Sequence, residues 1–76
     1  MNKDRRQRIT EIHAKLTELQ EQLTELMEEE SNALDNLPES LQNGSRGEDM
    51  QENIDIMDDA ISSLEEVITA IEPMTE

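Results

Sequence analysis

Apolar residues along the chain fall into two ladders separated by a break. The first is almost a literal repeat, Ile9-Thr-Glu-Ile12, Leu16-Thr-Glu-Leu19 and Leu23-Thr-Glu-Leu26. Its steps of three and four place these residues on one stripe of a helix, the a and d positions of a heptad. Glu30 interrupts the stripe, and Met27 and Leu34 carry it on to Leu37. Pro38 then stops the helix, and Asn43-Gly44 with Gly47 marks a turn. The second ladder is Met50, Ile54, Met57, Ile61, Leu64, Ile68 and Ile71, closed by Pro73. Helix 1 is thus expected over about 4–36, the turn over about 37–45 and helix 2 over about 46–72. Ser45 with Glu48 reads as a capping box that opens helix 2. Pro38–Leu41 reads as one short helical turn that sets the loop, with Leu37 and Leu41 closing that end of the core.

The ladders fit each other in one antiparallel register, in which paired residue numbers add to 87. This pairs Leu37 with Met50, Ala33 with Ile54, Leu26 with Ile61, Leu23 with Leu64, Leu19 with Ile68 and Leu16 with Ile71. The predicted fold class is therefore all-α, an antiparallel two-helix hairpin with a coiled-coil-like seam. Glu30 faces Met57 in this register with no cation near it, so it is expected to turn toward solvent.

Helix 2 has more apolar surface than a hairpin seam needs. Ile56, Ser63 and Ala70 lie on one flanking line and Ala60, Val67 and Met74 on another, widening the apolar arc to roughly 160° against the ~100° of an ordinary surface helix. A chain this small has little core of its own and needs a staple or a partner. It has no cysteine for a disulfide, so the expected device is self-association of these six positions into a dimeric four-helix bundle.

Charge refines that expectation. The formal net charge is -14, with 20 Asp+Glu against 6 Lys+Arg. Five of the cations, Lys3, Arg5, Arg6, Arg8 and Lys15, lie in the first fifteen residues, and Arg46 is the only other one. In the expected register residues 1–14 overhang helix 2, and an antiparallel dimer would lay this basic overhang beside the partner's acidic turn.

The residues present exclude most chemistry. With no Phe, Tyr, Trp or Cys there is no base-stacking platform, aromatic cage, thiolate metal site or cysteine nucleophile. Asp55-Ile-Met-Asp58-Asp59 lacks the alternating ligands and glycine of a calcium loop. The one histidine, His13, has no Glu three residues before it, as a diiron bundle would require, and is expected as a solvated side chain at the seam edge. Gly44 and Gly47 are accounted for as turn and cap residues, which leaves no phosphate loop. The expectation is no catalytic, cofactor-binding or metal residue, and no enzyme. No apolar run approaches the ~20 residues of a membrane span and no signal-peptide core follows residues 1–8, so the expected setting is the cytoplasm, without a membrane. The acidic surface argues against direct nucleic-acid binding. It leaves the opposite alternative: the row Glu48, Glu52, Asp55, Asp59 and Glu66 acting as a nucleic-acid mimic that occupies a cationic site on another, basic protein.

The stretch Asn36-Leu-Pro-Glu-Ser-Leu-Gln42, followed by Arg46-Gly-Glu48 and Ile61-Ser-Ser-Leu-Glu-Glu-Val-Ile68, resembles small acidic helical-hairpin proteins of Gram-positive bacteria and their phages or mobile elements. The likeness covers roughly residues 30–72, and its most specific part is Leu-Pro-Glu-Ser-Leu. It implies a helical hairpin and an accessory role, such as binding and inhibiting a host protein. It carries no activity onto particular residues.

Overall fold

A computed structural model describes residues 1–76. The chain is all-α: α1 (Lys3–Asp35), a one-turn α2 (Glu39–Gln42), α3 (Ser45–Ile71) and a closing 3-10 turn (Glu72–Met74), with no strand. α1 and α3 run antiparallel, side by side, in a rod whose backbone extents are 59 × 14 × 12 Å.

Local chemistry sets the element ends. The Asn2 side chain caps α1 by accepting from the Arg5 N–H at 2.8 Å. No glycine or proline interrupts the next thirty-odd residues, which are rich in strong helix formers. Pro38 disfavours helical geometry in Leu37 before it and then opens α2, its carbonyl accepting from the Leu41 and Gln42 amides at 2.8 and 3.0 Å. The short turn expected over Pro38–Leu41 is present one residue further on. The Gln42 side-chain amide turns back and donates to the free carbonyls of Leu37 (2.8 Å) and Asp35 (3.2 Å) at the end of α1.

The start of α3 departs from the expected capping box. Gly44 is the cap residue, with extended backbone (φ -97°, ψ -173°), and Ser45 is already helical and makes no capping bond. The chain enters the helix one residue early, so the Ser45 hydroxyl is past the position from which it could reach a free amide. Glu48 still lies in the first turn, where the helix dipole favours a carboxylate.

Gly47 has a different role from the turn position assigned above. It lies inside α3, is one of only two buried residues, and sits directly against the end of α2. A Cβ built on it would overlap the backbone of Gln42, with the Cα, carbonyl carbon and oxygen all closer than 3.0 Å. Only a hydrogen lets α2 and α3 pack this closely.

α1 is rotated relative to the expected seam. The half-buried positions on α1 include Ile9, His13, Leu16, Gln20, Leu23, Met27, Glu30 and Leu34, with Thr10, Thr17 and Thr24 beside them. Ile12, Leu19 and Leu26 are instead outside, at 47, 53 and 55 % exposure. The remaining expected core positions, Leu16, Leu23, Leu37, Met50, Ile54, Met57, Ile61, Leu64 and Ile71, are half-buried, and Ile68 is buried at 7 % exposure. Apolar residues of α1 occupy three adjacent lines, and a single partner helix covers two of them, Ile9/Leu16/Leu23 and Met27/Leu34, leaving Ile12/Leu19/Leu26 outside. The literal repeat Ile9, Ile12, Leu16, Leu19, Leu23, Leu26 spans the central and the outer line, so its midline is offset from the actual seam.

The register shifts with the rotation. Cross-helix hydrogen bonds join Gln20 Nε2 to the Ile61 carbonyl (3.2 Å) and Glu65 carboxylate (2.9 Å), Asn53 Nδ2 to Glu30 (3.2 Å), and Arg6 Nη1 to the Met74 carbonyl (3.3 Å). The backbone amide of Glu76 also donates to the Thr10 hydroxyl at 2.9 Å. These partners' numbers add to between 80 and 86, always below 87. The C-terminal segment therefore reaches Arg6, and the overhang expected for residues 1–14 shrinks to the first few residues. Glu30 does not swing free into solvent, because Asn53 holds it at the edge of the seam.

Candidate functional site

The seam has two distinguishable edges. Residues seven apart fall on one line along packed helices of period ~3.5. Around α1 these lines run in the order Ile12/Leu19/Leu26, Ile9/Leu16/Leu23/Glu30, His13/Gln20/Met27 and Thr10/Thr17/Thr24. Around α3 they run Ile56/Ser63/Ala70, Asn53/Ala60/Val67, Met57/Leu64/Ile71, Ile54/Ile61/Ile68 and Asp58/Glu65. The Asn53–Glu30 bond crosses one edge and the Gln20–Glu65 bond the other. The first edge therefore has the Ile12 row on α1 and the Ile56 and Ala60/Val67 rows on α3. The second edge has the threonines and the carboxylates.

One broad side of the rod is thus apolar. Its large side chains are Ile12, Leu19, Leu26, Ile56 (58 % exposed) and Val67 (47 %), with Ser63 and Ala70 exposed and Ala60 half-buried between them. Of the six positions expected at an interface, five lie on this side. Met74 lies instead in the 3-10 turn at the open end, half-buried, with its carbonyl held by Arg6. The α1 contribution was missed by sequence reasoning because Ile12, Leu19 and Leu26 had been assigned to the seam. The width of the apolar arc of α1, once Met27 and Leu34 are counted with it, was the available signal.

The opposite side is polar. Thr10, Thr17 and Thr24 donate their hydroxyls to the carbonyls of Arg6, His13 and Gln20, four residues back, at 2.9, 3.0 and 2.9 Å. The row Glu48, Glu52, Asp55, Asp59 and Glu66 is fully on the surface of α3, on the arc facing away from α1. The only ion pair in the molecule is the exposed Arg8–Asp4 contact at 3.6 Å. Nearly all the negative charge is therefore uncompensated.

His13 differs from its expected place. It is half-buried within the seam, and its Nε2 is enclosed without a hydrogen-bond partner. No group of three or more His, Asp or Glu side chains is placed to hold a metal ion. The two surface clefts are shallow. One, of about 410 Å³, lies at the turn against Asp35, Gln42, Gly47 and Glu48. The other, of about 340 Å³, lies at the open end and is lined by Met1, Arg5, Arg8, Ile9 and Ile12. This second cleft continues the Ile12 row and is rimmed by two guanidinium groups. No helix is long and apolar enough to cross a membrane. No family model matches the chain, and no curated protein or solved structure matches it.

Proposed function

We propose that the protein is a noncatalytic interaction module that self-associates through its apolar side, two hairpins forming a four-helix bundle. The observation that carries this reading is the exposure of Ile12, Leu19, Leu26, Ile56 and Val67 along one side of a chain whose only buried apolar side chain is Ile68, at 7 % exposure. Burying a side chain of this kind is worth about 1.5–3 kcal/mol, so half-exposing five of them in one stripe forfeits several kcal/mol. Surface area supports the reading as well. A compact protein of 8.7 kDa exposes about 4,700 Å², whereas this chain exposes 5607 Å². The excess, on the order of 900 Å², is close to the ~800 Å² that each partner buries in a standard interface.

Sedimentation equilibrium of the full chain tests the proposal. The wild type is expected to behave as a dimer at micromolar concentration, and Ile56→Glu combined with Val67→Glu as a helical monomer. A second reading is supported by the exposed, unpaired row Glu48, Glu52, Asp55, Asp59 and Glu66: an acidic inhibitor that occupies a nucleic-acid site on a basic protein. The row points away from α1, and its Glu52, Asp59 and Glu66 border the Ile56/Ser63/Ala70 line of the apolar side. Loss of a captured partner on Glu52→Gln, Asp55→Asn and Asp59→Asn, with helicity intact, would favour the second.

A further inference from the structure

The apolar side has a charged rim along each helix. On α3 the line next to Ile56/Ser63/Ala70 is Glu52/Asp59/Glu66, residues seven apart and all exposed. None of these three carboxylates makes an ion pair, whereas the nearby Asp55 and Glu65 accept hydrogen bonds from Gln51 and Gln20. On α1 the line next to Ile12/Leu19/Leu26 is Arg8, Lys15, Gln22 and Glu29, basic toward the open end and acidic toward the turn. Between the two rims lies the groove where α1 and α3 meet. We infer that this side captures a single amphipathic helix of another protein, apolar on one face and basic along one flank, which displaces the second copy. This goes beyond the self-association proposed above and does not depend on it, and it joins the apolar side and part of the acidic row into one surface.

Charge is the first reason, because a second copy cannot satisfy the α3 rim. Lys15 with Glu66, Gln22 with Asp59 and Glu29 with Glu52 stand at matching heights, since each pair of numbers adds to 81, within the range of the observed cross-helix bonds. If α1 of each copy covers α3 of the other, Glu66 meets the partner's Lys15 but Glu52 meets the partner's Glu29. If α3 covers α3 about Ser63, Asp59 meets the partner's Glu66 and Glu66 the partner's Asp59. Symmetry doubles every such contact. Attractive pairs elsewhere, such as Arg8 with the partner's Glu29 in the second case, offset the repulsion without neutralising the rim. After Lys15 the chain has no cation except Arg46. A helix with Lys or Arg in steps of seven along one flank meets Glu52, Asp59 and Glu66 together. Its other flank, over Arg8 and Lys15, is neutral or acidic.

Shape is the second reason. The α3 wall of the groove is low, with Ala60, Ser63 and Ala70 between Ile56 and Val67, and the α1 wall is high, with Ile12, Leu19 and Leu26. Large apolar residues of an incoming helix fit over the small ones of α3, as a helix lies in a hydrophobic groove. From Ile12 to Leu26 the wall runs about 21 Å at ~1.5 Å per residue, so a helix of four to five turns covers it.

The test uses the full chain and a helical peptide of about 18 residues, with Leu on one face, Lys in steps of seven along one flank and Glu along the other. At about 150 mM salt, where long-range attraction is screened, titration followed by sedimentation is expected to give a complex of one chain and one peptide. Combining Glu52→Gln, Asp59→Asn and Glu66→Gln is expected to weaken peptide binding about tenfold. Combining Glu21→Gln, Glu28→Gln and Asp35→Asn removes the same charge from a row on the far side of α1, and is expected to change binding less than about twofold. Circular dichroism checks that both variants keep their helicity. Equal weakening in the two variants means general attraction of a polycation and overturns the proposal. A wild-type chain that stays a dimer, or that fails to bind the peptide, also overturns it and leaves the second copy as the occupant. A chain that is monomeric alone yet forms the complex overturns self-association and supports the capture of a basic helix.

Discussion

Replacing Gly47 by alanine separates the packing account from simple helix propensity, because the two predict opposite signs. Gly47 is an interior residue of α3, and by propensity alone Gly→Ala should stabilise the helix by up to ~1 kcal/mol. The structure places the new Cβ inside the backbone of Gln42. That obstacle is main chain, which cannot swing aside as the tip of a flexible side chain could. Relief requires α2 to move off α3, and overpacking of this kind costs about 1–3 kcal/mol. Moving α2 also strains the two bonds by which the Gln42 amide covers the Leu37 and Asp35 carbonyls, each worth about 1 kcal/mol. The net expectation is a loss of about 2 kcal/mol, or roughly 8–16 °C in Tm for a domain of this size. The assay is thermal unfolding followed by circular dichroism at 222 nm, with protein concentration held fixed because association would itself shift Tm. Gly44→Ala is the comparison, since a Cβ there meets nothing nearer than 3.7 Å and should cost only the weakened cap, below about 1 kcal/mol. A Tm for Gly47→Ala equal to or above wild type would refute the close-approach reasoning.

Three further outcomes follow from the same structure. His13→Leu should raise Tm by about 4–8 °C, since it removes an enclosed, unpartnered Nε2 at a gain of about 1 kcal/mol; a lower Tm would mean that the imidazole has a partner. Raising NaCl from about 20 to about 200 mM should raise Tm by a few degrees, because the net charge of -14 meets a single exposed ion pair; a falling Tm would show that attractive pairs dominate. Asn2→Ala should fray the first turn of α1 at a cost of about 1 kcal/mol, seen as faster amide exchange at Arg5, whose N–H the Asn2 side chain accepts.

Much of the architecture was legible from periodicity and punctuation. The two ladders, Pro38 and Pro73 located the long helices and the short turn between them to within a residue or two. Sequence periodicity could not choose which of two apolar rows on α1 would face α3. Ile12/Leu19/Leu26 and Met27/Leu34 flank the same central line, and a helical pattern is silent about its partner's position. The choice coincides with polar bonds formed only after docking, as Gln20 reaches the Ile61 carbonyl and the Glu65 carboxylate. The role of Gly47 was hidden for a similar reason. A glycine next to a turn reads as a turn residue, and only the placement of α2 reveals that a Cβ has no room. The α3 half of the exposed apolar side was visible as an over-wide apolar arc. The α1 half emerged only when rotation left its leucines outside.

Self-association requires a second copy of the chain to cover the apolar side. Sedimentation equilibrium over a hundredfold range of concentration, at moderate salt, measures this directly. The expected mass is near twice 8.7 kDa and falls to the monomer value in the Ile56→Glu, Val67→Glu variant. A wild-type mass of 8.7 kDa at every concentration would contradict it.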